Sequence, residues 1–408
     1  MRFVHFSDVH IGSWRDIKLR EISTLVFCKA MDMCIEKNVD FILISGDLFN
    51  TSLPTIDRLK IVVEKLKEVK KKGIAVYVIA GSHDFSPSGK TMLDVLESAE
   101  LFINVVKGEV QENKLFLQFT VDPKTNAKIT GMLGKKGMLD RLYYEALSLD
   151  HLEQEDGFKI FMFHTAITEF KPIELELMES TPLSFFPKNF HYYAGGHVHY
   201  IYQEQVKEYG LFTYPGALFP NNFRELEKYH HGGFYLYEDG KVEYCPVKLY
   251  PVVSFYFDCE NKTAQEVNQE MLFQIGQKEV KDAIITLRFE GMLAEGKATD
   301  IDIKTIITLL YEKNAYFVMK NMNKLTSRQF EQILISIEKN ADIEESFIQE
   351  HLKTLETPLL ALEKREIFIK ELFELCNAEK QEGERIVDFE ERIKKDFIAT
   401  VKKNEILL

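Results

Sequence analysis

The sequence predicts an α/β protein: a layered sheet sandwich flanked by helices, then a small α+β cap domain and a helical C-terminal tail. Three observations predict it. Apolar strand-like runs alternate with helical patterns up to about Val247, further strands follow Pro251, and the strand signal ends near Leu325. Strands that alternate with helices are typical of layered α/β architecture. The predicted domains are residues 1–248, 249–325 and 326–408.

The strands of the first domain are predicted from apolar runs that end in turn residues. These runs are RFVHFSD, VDFILISGD, IAVYVIAGSHD, FKIFMFHT, HYYAGGHVH, LFTYPGA and GGFYLYEDGKVEY. Several are apolar at nearly every position, which is typical of sheets covered on both faces. Helical patterns span residues 17–36 and 55–72, and Gly73 is predicted to cap the second of them. The first domain is therefore predicted to contain sheets with helices packed against them.

The second domain and the tail show different patterns. The runs VVSFYFDC, DAIITLRFEG and NAYFVMKNM are predicted strands, and residues 263–277 and 301–313 are predicted helices between them. In the tail, apolar residues recur at helical spacing, as at Phe347 and Leu355 and again at Phe368 and Leu372. This spacing predicts amphipathic helices.

The composition favours a cytoplasmic protein that does not enter a membrane. Apolar residues make up 45% of the chain and charged residues 28%, and no apolar run approaches the roughly 18 residues of a membrane span. We expect no signal segment. The five cysteines are scattered without a C-x-x-C pair, which favours reduced thiols. A net charge of −13 argues against a strong stand-alone nucleic-acid binder, although a local basic patch or bound cations would offset it.

Ionisable side chains follow several predicted strands at the point where each strand ends. They are Asp8 and His10, Asp47, His83 and Asp84, His164, and His197 and His199. Ligands bind at the carboxyl ends of strands in open α/β sheets, so we expect these side chains to meet. Carboxylates mixed with imidazoles suit zinc, iron or manganese better than calcium. The set exceeds the needs of one tetrahedral ion and suggests two ions that share a carboxylate, as in phosphatases and nucleases.

The order of these motifs resembles the calcineurin-like metallophosphoesterase superfamily, whose pattern is D-x-H, G-D, G-N-H-D, H and G-H-x-H. Within it, the segments FSDVHIG, VDFILISGDLFNTSLP and YPGALFPNNFRE are similar to those of SbcD-like nuclease subunits, which process DNA double-strand breaks. The resemblance implies a metallophosphoesterase sheet sandwich and a DNA-contacting cap domain. It also implies a tail that docks on an ABC-type ATPase with a coiled coil (SbcC-like), a homodimer, and two divalent ions, manganese in this family.

The resemblance also implies roles for individual residues. One ion would be held by Asp8, His10, Asp47 and His199. The other would be held by Asp47, His164, His197 and the residue at position 82, with Asp47 bridging the two. His83 would act beside the leaving group, and Asp84 would orient His83, as carboxylates often do for histidines.

Two positions depart from the family pattern. Ser82 stands where the family has asparagine, and Asn50 follows G-D-L-F where the family often has histidine. A serine hydroxyl is one bond shorter than an asparagine carbonyl and a poorer donor to a metal, so the second ion is either weakly held or reached through a water. Asn50 bears on the positioning of the substrate phosphate. Arg15, close after the His10 strand end, is a further candidate for phosphate contact.

Three functions remain open at this stage. The first is a two-metal exonuclease or endonuclease that acts on DNA ends with an ATPase partner. The second is a metallophosphoesterase of small substrates such as cyclic or linear nucleotides, which the acidic charge favours and the extra domains disfavour. The third is a catalytically weakened scaffold that binds DNA ends, which Ser82 and Asn50 favour and the full set of other ligands disfavours.

Overall fold

The computed structural model describes residues 1–85, 91–135, 141–328 and 386–403, together with residues 368, 371, 372, 375 and 378. The strands are β1 (Arg2–Phe6), β2 (Phe41–Ser45), β3 (Ala75–Ile79), β4 (Ile103–Asn104), β5 (Gly108–Gln111), β6 (Lys114–Leu117), β7 (Thr120–Val121), β8 (Lys128–Gly131), β9 (Lys159–His164), β10 (Tyr192–Gly196), β11 (Tyr202–Val206), β12 (Gly210–Tyr214), β13 (Gly232–Glu238), β14 (Lys241–Val247), β15 (Val252–Asp258), β16 (Ile284–Leu293) and β17 (Phe317–Ser327). The helices are α1 (Ile17–Glu36), α2 (Ile56–Lys71), α3 (Met92–Ser98), α4 (Arg141–Glu145), α5 (Asp150–Gln154), α6 (Phe223–Tyr229), α7 (Ala264–Gln277), α8 (Ile303–Glu312) and α9 (Ile386–Lys403).

Two six-stranded sheets form the body of the first domain. One has the strand order β14-β13-β1-β2-β3-β4 and the other β11-β12-β10-β9-β8-β7. The neighbours β1, β2 and β3 run parallel in the first sheet, as do β8, β9, β10 and β12 in the second. Parallel neighbours bring their carboxyl ends to the same edge of a sheet, and in this chain those ends carry the ionisable residues.

The two sheets face each other because alternate side chains of each strand point to opposite faces. Phe3, Phe41 and Tyr77 of the first sheet pack in one buried cluster with Ile160 and Tyr192 of the second. The residues next to Phe3, Phe41 and Tyr77 along their strands point to the opposite face of the first sheet. They pack in a separate cluster against the apolar sides of α1 and α2.

The observed fold confirms the predicted layered α/β arrangement with flanking helices. Helix α1 covers the predicted residues 17–36, and the side chain of Asp16 caps it by accepting a hydrogen bond from the Lys18 N–H group. The short strands β4 to β8 and strand β11 were not predicted. Strand β5 explains why, because all four of its residues are exposed and it carries no apolar run.

Strands β5 and β6 form a separate two-stranded sheet. After residue 248, strands β15, β16 and β17 form a three-stranded sheet, and helices α7 to α9 are the described helices. Residue contacts divide the chain into two compact units. One comprises Met1–Phe257, Met271–Phe289 and Ile303–Met322, and the other Asp258–Glu270, Glu290–Asp302 and Asn323–Leu408. The domain limits at residues 248 and 325 stay a prediction.

The predicted helical tail is described only in part. Helix α9 lies within it, and Phe368, Leu372 and Leu375 are helical. The predicted helical segment that contains Phe347 and Leu355 lies outside the described residues. In the described part of the chain, no helix has both the length and the apolar character required to cross a bilayer.

Candidate metal centre

The carboxyl ends of five strands deliver the predicted residues to one place. Asp8 and His10 follow β1, Asp47 follows β2, and His164 ends β9. In the register of β9 and β10, Gly196 pairs with His164, so the residues after Gly196 emerge beside that histidine. The loops after β1 and β2 are joined directly, since the His10 N–H group donates to the Asp47 carbonyl oxygen at 2.9 Å.

Asp8, His10 and His199 form the first group of possible ligands. Each offers one ligand atom, and these atoms all lie within 4.8 Å of one another. The Nε2 atom of His199 lies 3.2 Å from Nε2 of His10 and 3.6 Å from Oδ1 of Asp8. Asp8 and His10 are buried. Two imidazole nitrogens and one carboxylate oxygen therefore converge on a small volume.

Asp47 lies between this group and His164. Its Oδ2 atom is 3.2 Å from Nε2 of His164 and 3.7 Å from Nε2 of His10. Asp8, Asp47 and His164 form another group whose ligand atoms lie within 4.8 Å, as do His10, Asp47 and His83. Asp47 thus takes part in two of these groups.

His197 and Ser82 lie at the edge of the cluster. The backbone N–H group of His197 donates to both carboxylate oxygens of Asp8, at 3.0 and 3.1 Å. The His197 ring lies beside that of His164, with 5.3 Å between ring centroids. Ser82 is buried in the turn between Gly81 and His83.

His83 and Asp84 point to different partners. The His83 N–H group donates to Asp47 Oδ1 at 2.7 Å, and Nδ1 of its ring lies 2.9 Å from the carbonyl oxygen of Asn50. The Asp84 carboxylate accepts from three backbone N–H groups, those of Leu48, Phe49 and Gly81. The expectation that Asp84 orients the His83 ring is therefore wrong. Asp84 ties the loops after β2 and β3 together, and the Asn50 carbonyl holds the ring.

Arg15 is not one of the grouped ligands. It is exposed, and its backbone carbonyl oxygen accepts a hydrogen bond from Nη2 of Arg20 at 2.9 Å. Within the described residues, the structure brings no guanidinium of Arg15 to the grouped ligands. Trp14 connects the loop after β1 to the loop after β12, because its Nε1 donates to the carbonyl oxygen of Pro220 at 3.0 Å.

The backbone around the cluster adopts conformations that most residues avoid. Asp8, His10, Asp47 and His197 have positive φ angles of 49°, 47°, 51° and 84°, in or near the left-handed region, where Asp and His are among the few side chains found repeatedly. Such conformations concentrate at functional sites. A Cβ atom on Gly81 would lie 2.2 Å from Asp47 Oδ1, so only glycine fits there.

The buried charges shift one another's titration. Burial lowers the pKa of His164, but the Asp47 carboxylate outweighs it and raises that pKa to about 10. Burial raises the pKa of Asp47, but His164 and His10 outweigh it and hold it well below its usual range. Burial raises the pKa of Asp8 and lowers that of His10 to about 3 and that of His197 to about 4. The Asp47 carboxylate and the protonated His164 ring therefore stabilise each other's charged forms.

Glu225, which was not predicted, is the direct partner of His199. Its Oε1 atom lies 2.9 Å from His199 Nδ1. Burial lowers the pKa of His199, but the hydrogen bond with Glu225 outweighs it and raises that pKa to about 9. The sequence offered one signal, Asn222 followed three residues later by a glutamate, which marks the start of a helix and not a ligand.

The donor set fits divalent metal ions. Asp8 and Asp47 are buried carboxylates that lie against imidazoles and backbone N–H groups, and grouped buried carboxylates are costly unless cations pair with them. In the part of the chain that the structure describes, the buried Nε2 atom of His164 and Nδ1 atom of His10 make no hydrogen bond. Mixed carboxylate and imidazole donors suit transition metals.

Comparison with known proteins agrees with this chemistry. The model of the calcineurin-like phosphoesterase family matches residues 1–200. The DNA double-strand break repair protein Mre11 of Methanococcus maripaludis is 28% identical over 248 residues, 58% of this chain and 62% of that protein. Mre11 of Archaeoglobus fulgidus is 27% identical over an alignment of 444 positions, gaps included, which spans 99% of this chain and 93% of that protein. Mre11 of Methanopyrus kandleri is 29% identical over 259 residues, 60% of this chain and 56% of that protein. Residues 1–200, just under half of this chain, are thus similar to the calcineurin-like phosphoesterase family.

Proposed function

We propose that the chain is a two-metal phosphodiesterase that cleaves DNA in the processing of double-strand-break ends. The observation that carries the proposal is the convergence of two buried carboxylates, Asp8 and Asp47, with the imidazoles of His10, His164 and His199. The similarity to Mre11 of Archaeoglobus fulgidus, which extends over 99% of this chain, supports DNA as the substrate.

Two divalent ions, manganese in our proposal, would occupy the cluster. The first would be held by Asp8, His10, Asp47 and His199, and the second by Asp47, Ser82, His164 and His197. When bound, such ions polarise a phosphoryl group and make hydroxide available near neutral pH. The protein's own contribution is to hold these ligands in place on five strand ends, with Asp47 between the two sets.

His83 would supply the proton for the leaving oxygen. Its Nδ1 atom donates to the carbonyl oxygen of Asn50, which fixes the ring and assigns the other ring nitrogen, Nε2, to the substrate. Histidine is the side chain most often used for proton transfer to or from a reacting group. Arg15 and Asn50 are proposed to contact the DNA phosphate.

Ser82 favours one alternative, a scaffold that binds DNA ends with weakened chemistry. The hydroxyl of serine reaches less far than the carbonyl of asparagine, so the second ion would be held with fewer direct ligands. Position 82 bears on that ion alone, since the proposed ligands of the first ion do not include it.

The proposed partners are DNA, an SbcC-like ABC-type ATPase that receives the helical tail, and a second copy of the chain. The exposed apolar side chains of Leu53 (72%), Ile56 (83%) and Val95 (56%) support a dimer through α2 and α3. These helices are neighbours at that point, since the Met92 N–H group donates to the Ser52 carbonyl oxygen at 3.4 Å. We infer a cytoplasmic location, which the free thiols of Cys28, Cys34 and Cys245 support.

The test is a substrate panel with manganese-loaded protein. Linear duplex DNA, single-stranded DNA and cyclic and linear nucleotides are offered to the wild type and to Asp8→Ala. Cleavage of DNA that is lost in Asp8→Ala supports the proposal. Turnover of a cyclic nucleotide without DNA cleavage would favour a small-substrate enzyme. Salt-sensitive DNA binding without cleavage under any divalent metal would favour the scaffold.

A further inference from the structure

Glu225 contacts His199 on the side of the ring that faces away from the cluster. Its Oε1 atom lies 2.9 Å from Nδ1 of His199, while Nε2 of the same ring lies 3.6 Å from Asp8 Oδ1. An ionised carboxylate only accepts hydrogen bonds, so the proton of the imidazole is held on Nδ1. When the ring is neutral, as a metal ligand must be, its lone pair is therefore on Nε2, which faces Asp8 and His10.

Glu225 is itself held in place by the start of helix α6. Its Oε2 atom accepts a hydrogen bond from the Asn221 N–H group at 2.7 Å, and its N–H group donates to Asn222 Oδ1 at 2.9 Å. The next residue, Leu226, is fully buried. One turn of helix therefore fixes the carboxylate in position and direction.

A second anchor lies two residues further along the same helix. The Glu227 carboxylate pairs with the guanidinium of Arg288 on β16, with Nε at 2.9 Å from Oε2. The Arg288 guanidinium also lies over the ring of Phe223, 5.1 Å from its centroid. Helix α6 is thus held at both ends of the segment that carries Glu225.

The space behind the His199 ring leaves it little freedom. A cavity of about 10 Å³ for the centre of a water molecule lies against His199 and Glu225 and is also lined by Tyr229, His231 and Tyr244. This volume admits one water at most. With Glu225 in place, the ring of His199 therefore has little space behind it into which to turn.

Two other imidazoles of the cluster have neutral partners at Nδ1. Nδ1 of His164 lies 2.8 Å from the Ser45 carbonyl oxygen, and Nδ1 of His83 lies 2.9 Å from that of Asn50. Among the described hydrogen bonds made by Nδ1 atoms in the cluster, the one to a carboxylate belongs to His199. An anionic partner raises the basicity of a ligating imidazole. The effect of Glu225 therefore falls on the set of ligands that includes His199.

We propose that Glu225 is a positioning residue that fixes the tautomer of His199 and thereby sets the affinity of the ion held with Asp8 and His10. This rests on the metal centre of the proposed function. Glu225 touches neither substrate nor ion, and its action passes through the His199 ring. The ion held with His164 would be unaffected.

The experiment is a calorimetric titration of the metal-free protein with Mn²⁺. We expect Glu225→Ala to weaken one of two ions by about 10- to 100-fold and to leave the other unchanged. Glu225→Gln keeps an oxygen that can accept from His199 and should weaken the same ion by less. Thr263→Ala is the matched control, because it removes the side-chain cap of α7, whose Thr263 hydroxyl accepts from the Glu266 N–H group at 3.2 Å, and leaves Glu225 and its partners intact, so it should lower thermal stability without changing either affinity.

A second readout does not depend on affinity. In Zn²⁺-loaded protein labelled with ¹⁵N in histidine, the Nδ1 proton of His199 should exchange slowly in the wild type and in Thr263→Ala, and rapidly in Glu225→Ala. Wild-type affinities for both ions in Glu225→Ala, or equal loss in Thr263→Ala, would overturn the inference alone. A wild type that binds no Mn²⁺ would overturn it together with the proposed function.

Discussion

The ring of His83 is held by the backbone of Asn50, whose carbonyl oxygen lies 2.9 Å from Nδ1. The N–H group of Asn50 donates in turn to the Ile11 carbonyl oxygen at 3.1 Å. The main chain of Asn50, in the loop after β2, therefore contacts both the loop after β1 and the His83 ring in the loop after β3. The side chain at position 50 is not required for the orientation of His83, although it departs from the family pattern.

Mutations at His83 and at Asn50 should therefore have different effects on the rate of DNA cleavage. His83→Ala should lower the rate of DNA cleavage by about 10²- to 10⁴-fold, the usual contribution of a general acid. Asn50→Ala keeps the carbonyl and should lower it by less than about tenfold, mainly in KM, because only a phosphate contact is lost. Steady-state kinetics of both variants check this. Equal losses in kcat would show that the side chain of Asn50 acts on the chemical step.

Gly81 should be intolerant of any side chain. A Cβ atom there would lie 2.2 Å from Asp47 Oδ1 and 2.4 Å from the Asp47 nitrogen, so Gly81→Ala should lower the free energy of unfolding by about 1–3 kcal/mol and weaken metal binding. Gly276 of α7 is the control, since a Cβ atom there meets nothing within 4 Å. Gly276→Ala should raise stability by about 0.5 kcal/mol. Denaturant unfolding and metal titration of both variants decide the point, and a Gly81→Ala protein with unchanged metal affinity would contradict it.

Ser82 should limit the second ion. Ser82→Asn introduces a carbonyl oxygen that reaches one bond further, and we expect it to tighten that ion by about tenfold, or ~1.4 kcal/mol. The ion held with His10 and His199 should be unaffected. Calorimetric titration with Mn²⁺ measures both affinities. If Ser82→Asn weakens the second ion or leaves it unchanged, a water already fills the role of the asparagine in the wild type.

Asp40 gives a pH-dependent contribution to stability away from the metal centre. Burial raises the pKa of Asp40, but the Arg2 N–H group and the Lys124 ammonium outweigh it, so the pKa lies below its ordinary value of 3.8. A depressed pKa means that the stabilisation is present above about pH 4 and is lost as the pH falls through the folded-state pKa. Asp40→Asn should cost about 1 kcal/mol at pH 7. Urea unfolding at several pH values should show the difference shrinking below pH 4, and a constant difference would contradict it.

The fold could be predicted from sequence where strands are buried on both faces. Strand β2 is buried at every position, so its apolar run is unbroken and its end at Ser45 is followed directly by Gly46 and Asp47. Strand β11 has three exposed residues of five and pairs only with β12, so it carries no such run. Edge strands of this kind are formed by pairing with a neighbour that the sequence does not reveal.

The site residues that directly follow buried strands could also be predicted from the sequence. Asp8, Asp47 and His164 stand at strand ends, and parallel strands bring such ends together without further information. Glu225 could not be found in this way, because it lies on a helix and reaches His199 only through the three-dimensional path of the loop after β12. The partners of Asp84 were also hidden, since they are backbone N–H groups, which every residue but proline carries.

The central claim is that Asp47 holds two ions together at one site that cuts DNA. The most direct test is the number of Mn²⁺ ions bound per chain in wild type and Asp47→Asn, measured beside cleavage of single- and double-stranded DNA. We predict two ions and cleavage in the wild type, and in Asp47→Asn the loss of at least one ion together with cleavage. An Asp47→Asn protein that binds two ions and cuts at the wild-type rate, or a wild type that binds none, would contradict the account.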